Sequence, residues 1–252
     1  MKFSIIGFRS ACAVSMLFAA NISNAESQSF DGNYVGVSLG YSQLSVHEGM
    51  ATWSQAGSID YIGSGGRDSH SNAAIGGLNV GRNWQFENFV IGAELGGSLL
   101  DGKANGTLLS YDSTLGSPSN HVASSTKLKS FVNVKAKLGY VIDSQTMIYG
   151  MAGIASGRVS RTATGLTGTT GDVFLDAGVS STNTKTMIGY TYGIGIEKIC
   201  SKQFSLKFEL NYIDLGSKDF SYGGTTFLVP SRMSQSVKVT NSTASFILAY
   251  KF

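Results

Sequence analysis

Eight stretches of this chain alternate, residue by residue, between an apolar side chain and a small or polar one. Successive side chains of a β-strand point to opposite faces, so a period of two repeated this often commits the chain to two-faced strands and leaves little room for helices. In GNYVGVSLGYSQ, Val35, Val37, Leu39 and Tyr41 share one face and Gly36, Ser38, Gly40 and Ser42 the other. Leu78, Val80, Trp84 and Phe86 oppose Asn79, Gly81, Asn83 and Gln85; Phe89, Ile91, Ala93 and Leu95 oppose Val90, Gly92, Glu94 and Gly96. A fourth stretch sets Leu128, Val132, Val134, Ala136, Leu138 and Tyr140 against Asn133, Lys135, Lys137 and Gly139. The fifth, TMIYGMAGIASG, admits either Met147, Tyr149 and Met151 or Ile148 and Ile154 as its apolar face, and we take the first. Ile188, Tyr190, Tyr192, Ile194 and Ile196 then oppose Gly189, Thr191, Gly193, Gly195 and Glu197, and Leu206, Phe208, Leu210 and Tyr212 oppose Ser205, Lys207, Glu209 and Asn211. The last stretch carries Ala244, Phe246, Leu248, Tyr250 and Phe252 on one face.

Eight strands of about ten residues could form a soluble sandwich with apolar faces inward, or the inverse, with apolar faces outward to lipid. Two features favour the inverse. The polar faces are rich in Gly and Ser with scattered charges of both signs, which suits the narrow interior of a small barrel. Aromatics sit near the ends of the apolar faces (Tyr41, Trp84, Phe86, Tyr140, Tyr212, Tyr250 and Phe252), where girdles meet the two membrane interfaces. Composition agrees: 32 glycines in 252 residues and only 14% charged residues, against about 25% charged in ordinary soluble domains. Charge so sparse and nearly balanced, +3 net, also disfavours nucleic-acid binding.

The connections order these strands. Those around Glu87-Asn88, Asp143-Ser144-Gln145 and Cys200-Ser201-Lys202 are tight; those over 45–72, 101–126, 158–185 and 215–240 are long. Strict alternation puts every long connection on one rim. The expected fold is therefore all-β: an eight-stranded antiparallel up-and-down transmembrane β-barrel with short periplasmic turns and four long extracellular loops. Lys2 and Arg9, the uncharged run ACAVSMLFAA and the small residues Ser23 and Ala25 predict a signal peptide over 1–25, cleaved after Ala25, leaving the barrel over 26–252. Cleavage would remove Cys12 and leave Cys200 without an intramolecular partner.

GNYVGVSLGYS at 32–42, GGLNVGRNWQ at 76–85, FVIGAELGGS at 89–98, VKAKLGYVID at 134–143, GYTYGIGIEK at 189–198, SLKFELNYIDLG at 205–216 and the closing SFILAYKF together resemble the small eight-stranded outer-membrane β-barrel family. Within that family, of the OmpA-barrel and opacity-protein type, the likeness is to the alphaproteobacterial major surface proteins. The resemblance implies an integral protein of a Gram-negative outer membrane, in contact with lipid and lipopolysaccharide. It implies that Phe246, Leu248, Tyr250 and Phe252 form the signal read by the barrel-assembly machinery. Lys135 and Lys137 stand where the family usually has arginines, and Arg82 where it has an aromatic, close enough to the periplasmic rim to snorkel.

Three acidic and three basic residues fall on the lumen faces: Glu94, Glu197 and Glu209 with Lys135, Lys137 and Lys207. They read either as a selective pore or as a paired network that staples the interior; eight strands leave little space beyond side chains, which favours the staple. His47, His70 and His121 fall in the first two long loops; they read either as free solvated loop histidines, the default, or as a surface haem or metal site, since the family has hemin-binding members. No HExxH or comparable metal spacing accompanies them, and no strand carries a His where the lipid-modifying barrels need one. The chain is expected to be a monomeric structural constituent of the membrane, without cofactor or catalysis, whose loops face outward; the alternatives are a surface binder of a host ligand or hemin, or a small-solute porin.

Overall fold

The computed structural model describes residues 29–55, 58–62, 67–111, 120–166, 180–226 and 229–252. Nine strands fill almost all of them: β1 (Gly32–Gln55), β2 (Ser58–Ile62), β3 (Arg67–Phe86), β4 (Phe89–Tyr111), β5 (Asn120–Asp143), β6 (Thr146–Leu166), β7 (Ser180–Ile199), β8 (Phe204–Thr226) and β9 (Val229–Lys251). Leaving aside the five-residue β2, which pairs only with the far end of β1, eight long strands run antiparallel, each beside the next in the chain. Pairing of β9 with β1, from Tyr34 opposite Lys251 to Gln55 opposite Ser231, closes the ring. The closed ring has no edge, so each of the eight long strands can pair its backbone on both sides, as a backbone in lipid must. The expected signal peptide over 1–25 lies outside the described residues.

The tight turns fall where the sequence places them. Phe86 pairs with Phe89 across Glu87-Asn88, and Glu87 takes a left-handed φ of 52° while its carbonyl accepts a bond from Gln85 Nε2 at 2.8 Å. At the next turn Asp143 pairs with Thr146, and Asp143 Oδ1 accepts the Gln145 amide at 2.8 Å. That amide holds the Asp143 carboxyl below its ordinary range.

The long connections are shorter than the sequence suggested, because the strands are about twice as long. The eight long strands run 20–24 residues, whereas about ten tilted residues cross a hydrocarbon layer. Much of 45–72, 101–126, 158–185 and 215–240 is therefore continued barrel wall. The physical reason is that the polarity of the two faces inverts partway along. On β1 the outward residues change from Val35, Val37, Leu39 and Tyr41 to Gln43, Ser45 and His47, while the inward ones change from Gly36, Ser38 and Ser42 to Leu44 and Val46. Partner strand β9 does the same: outward Phe246, Leu248 and Tyr250 give way to Ser242, Lys238 and Ser236, and inward Thr243 and Asn241 to Val239 and Val237. Below the switch the barrel is dressed for lipid; above it, for water.

Two assigned faces need correction. Met147, Tyr149 and Met151 point into the lumen and are buried, and Ile148 and Ile154 face outward. Both faces of that stretch are apolar, so its alternation carries no sign, and the pairing of Tyr149 opposite Gly195 decides it. Leu128 is buried inside rather than facing lipid, because a register shift between Leu128 and Ser130 reverses the facing of all residues beyond it.

Candidate functional site

The lumen is filled in layers, each set by the inward parity of the strands. At the turn rim Phe30, Val90, Met147, Tyr149, Met151 and Ile199 form an apolar cluster, with the Phe30 amide donating to Gln85 Oε1 at 2.7 Å. Above it lie the six ionisable residues named from the sequence, all buried. Lys135 Nζ meets Glu94 Oε1 at 2.8 Å and Glu209 Oε2 at 3.1 Å; Lys207 Nζ lies 3.7 Å from Glu197 and 3.9 Å from Glu94, and Lys137 Nζ lies 3.9 Å from Glu94. Ser205 Oγ donates to the other oxygen of Glu197 at 2.7 Å. Three acids and three bases in contact leave the layer formally neutral, which a low-dielectric interior requires of buried ions.

Two tyrosines complete this layer, and the sequence reading missed both. Tyr34 donates to Glu94 Oε2 at 2.7 Å and Tyr149 to Glu209 Oε1 at 2.9 Å. Their rings also receive the ammonium groups: Lys207 Nζ is 3.3 Å from the Tyr34 centroid and Lys137 Nζ 4.4 Å from that of Tyr149. The signal that could have found them is a glycine across the ladder. Tyr34 pairs with Gly81 and Tyr149 with Gly195, and a Cβ at either glycine would come within 2.4–2.5 Å of the phenol.

A polar belt follows, where Asn79, Asn133, Thr191, Asn211 and Thr243 line a cavity of about 30 Å³. Next comes the largest apolar cluster, built on Leu44, Ile75, Leu128, Phe131, Leu215 and Phe220 with their neighbours. Over it sits a second buried ion pair, Arg161 Nη2 to Glu48 Oε1 at 2.8 Å, joined by Ser124 Oγ to the same oxygen at 2.8 Å and by Gln235 Oε1 to Nη2 at 2.6 Å. Sequence reading placed Glu48, Arg161 and Gln235 in loops and so had no reason to bring them together.

The three histidines are on strand walls, not in loops. His47 pairs with Asp68 across β1 and β3, its Nδ1 2.5 Å from Asp68 Oδ1, and His70 stands one pleat away on β3; both are exposed on the outer wall. His121 is on β5, separated from β3 by β4, so the three do not converge on one face of a single hairpin. The polarity switch explains the misplacement, since the strands carrying them read as polar connections.

Phe246, Leu248, Tyr250 and Phe252 all face outward, and Phe246 and Tyr250 pack on Phe208 and Phe204 of β8 with ring centroids 4.9 and 5.3 Å apart. Arg82 also points outward, and its guanidinium lies 5.3 Å from the Trp84 ring. Cys200 is exposed in the turn before β8.

Comparison with known proteins meets this geometry from the side of descent. A family model for the outer membrane protein beta-barrel domain matches residues 10–252. The chain is 30% identical over 226 residues to the 31 kDa outer-membrane immunogenic protein of Brucella melitensis, covering 89% of this chain and 84% of that one. It is 27% identical over 169 residues to the 22 kDa outer membrane protein of Rhizobium leguminosarum bv. viciae, covering 66% and 64%. Among solved structures, the outer membrane protease OmpT of Escherichia coli superposes with a TM-score of 0.52 at 9% identity, over 91% of this chain and 99% of that one, a likeness of fold alone.

Proposed function

The chain belongs to the outer membrane protein β-barrel domain family, and from that premise we propose that it is a closed barrel, a structural constituent that conducts no solute and carries outward-facing loops at its extracellular rim. The protein is an integral outer-membrane β-barrel, and its relatives are outer-membrane proteins. The observation that carries the closed reading is the filled lumen: an apolar cluster at the periplasmic end, the neutral Glu/Lys/Tyr layer, and the larger apolar cluster under the Arg161–Glu48 pair. A hydrated ion crossing that column would have to displace packed aliphatic side chains and break ion pairs in low dielectric. The six charges are read as staples that fix strand register, not as a selectivity filter.

We read the chain as non-enzymatic: its likeness to OmpT is one of fold, and its buried carboxylates Glu48, Glu94, Glu197 and Glu209 lie against cations inside the barrel. Export by a signal peptide over 1–25, and recognition of Phe246, Leu248, Tyr250 and Phe252 by the barrel-assembly machinery, belong to the same proposal. Surface binding of a host ligand or hemin is the second reading. It draws on exposed His47 and His70, diagonal neighbours across β1 and β3.

Reconstitution into planar bilayers tests the closed reading. Protein whose gel migration shifts on heating, and which is therefore folded, is expected to give no conductance steps. Reproducible single-channel steps from such protein would overturn it.

A further inference from the structure

Glycines of two kinds occur in this barrel. Some of those facing the lumen are obligatory: a Cβ on Gly153 or Gly189 would fall within 2 Å of a neighbouring strand's carbonyl oxygen. Gly76 and Gly97 face outward, and a Cβ there would make only ordinary contacts, 3.6 Å to Leu39 and 3.9 Å to Val132. The fold does not need bare backbone at these two positions. Their lack of side chains floors a lipid-facing groove of about 650 Å³, walled by Leu78, Leu95, Leu99 and Val132 on β3, β4 and β5.

Directly beyond that groove, on the extracellular side, the same wall turns cationic. Lys103 follows Leu99 on β4, Lys127 and Lys129 follow Val132 on β5, and Arg158 follows Ile154 on β6. Lys103 is registered opposite Lys127, and Arg158 opposite Ser130 beside the shift that turns Lys129 outward, so four cations share three adjacent strands. Strands in a sheet are about 4.8 Å apart, a spacing at which like charges repel unless an anion lies between them. Asp101, 3.7 Å from Lys127, answers one of the four. The side chains of Lys103, Lys129 and Arg158 have no ion pair or hydrogen bond among the described residues.

The opposite wall at the same rim disposes of its cations differently. Lys185 Nζ donates to the Asp219 carbonyl at 2.5 Å, Lys218 Nζ to the Thr186 carbonyl at 2.7 Å, and Lys238 Nζ pairs with Asp214 at 2.9 Å. Among the described residues of this rim, lysines and arginines without a partner are thus confined to the face that carries the groove.

We propose that the β3–β6 wall is a binding site for a phosphorylated acyl-chain glycolipid of the outer leaflet, of the lipid A class. One acyl chain lies over Gly76 and Gly97, and the sugar phosphates sit among Lys103, Lys127, Lys129 and Arg158. Apolar groove and cations are stacked in the order that such a lipid presents its tail and its phosphates, and Arg and Lys are the side chains that hold phosphate oxygens best. The proposal rests on the reading of the chain as an outer-membrane barrel, though not on whether the lumen conducts.

The test is saturable binding of purified lipid A to the folded protein in detergent, read by native mass spectrometry. The triple variant Lys103→Gln/Lys129→Gln/Arg158→Gln is expected to lose about ten-fold in affinity or more, and Lys185→Gln/Lys218→Gln/Lys238→Gln to stay within about two-fold. Gly97→Leu, which fills the groove and leaves the cations, is expected to weaken lipid A binding without affecting the heat-modified migration. On the wild-type protein, dephosphorylated lipid A should bind weakly and millimolar inorganic phosphate should fail to displace lipid A. Equal losses in the two triple variants, undiminished binding of dephosphorylated lipid A, or displacement by inorganic phosphate would each overturn the site. Loss of heat-modified migration in the wild type would instead count against the barrel itself.

Discussion

Arg161 and Glu48, 113 residues apart in the chain, meet inside the extracellular part of the barrel through a 2.8 Å ion pair with both side chains almost wholly buried. Each strand-end around them is held by a partner from a different strand: Ser124 from β5 and Gln235 from β9. Removing one member leaves a buried charge unanswered, which costs far more than the pair contributes. Glu48→Ala or Arg161→Ala is therefore expected to lower stability by about 3–5 kcal/mol, whereas Glu48→Leu combined with Arg161→Met should come within about 1–2 kcal/mol of wild type. Urea unfolding of the barrel in lipid vesicles measures the difference; single and double variants of equal stability would show that the pair is not what holds this end.

Gly195 and Gly150 give an internal control on lumen packing. Gly195→Val drives a branched side chain into the Tyr149 ring and is expected to cost about 1–3 kcal/mol, the usual range for overpacking. Gly150→Ala faces open space outside the barrel and should leave the unfolding midpoint unchanged. A Gly195→Val barrel with the wild-type midpoint would mean that Tyr149 is not held where the Glu209 bond places it.

The Asp143 carboxyl lies in a periplasmic turn, outside the spanning segments, with its pKa lowered first by the bond from the Gln145 amide. A carboxyl lowered in the folded state contributes stability that is fully present above its unfolded pKa and is lost as pH falls through the folded value. The turn is thus expected to hold at neutral pH and to loosen only in acid, below the ordinary Asp range. Hydrogen exchange at the Gln145 amide reads it: protection should fall with acid in the wild type and be low at every pH in Asp143→Ala.

Cys200 is exposed in the turn before β8, on the periplasmic rim, and Thr182 lies at the opposite rim. A membrane-impermeant maleimide is expected to label Cys200 in permeabilised cells and not in intact ones, and to label a Cys200→Ser/Thr182→Cys variant in intact cells. The reverse pattern would invert the barrel.

The lipid-spanning half of this molecule was legible in the sequence because there the two faces differ sharply. Val35, Val37, Leu39 and Tyr41 against Gly36, Ser38 and Ser42 leave no choice of facing. Parity alone puts Glu94, Lys135, Lys137, Glu197, Lys207 and Glu209 in the lumen, and parity needs no knowledge of which strands touch. Parity fails at Tyr149, whose stretch is apolar on both sides, and at Leu128, where one bulge shifts the facing and no residue type announces it. The upper half was hidden by its own inversion: Leu44 and Val46 continue the inward face of Ser42, but a reader following apolar residues as outward sees the pattern end there. Contacts such as Glu48 with Arg161 need a three-dimensional register that no local period contains.

That inversion acts like the load line painted on a hull. On β1 and β9 the change falls at neighbouring residues, after Tyr41 and after Ala244, which face one another across the ladder. Sinking the barrel by one pleat would drag Gln43 and Ser242 into hydrocarbon, and raising it would strand Tyr41 and its neighbours in water; each displacement costs on every strand at once. The chain therefore has one draught in the bilayer, set by side chains and not by its loops. A graft that exchanges everything above Gln43 and Ser242 for another watertight wall would ride at the same depth.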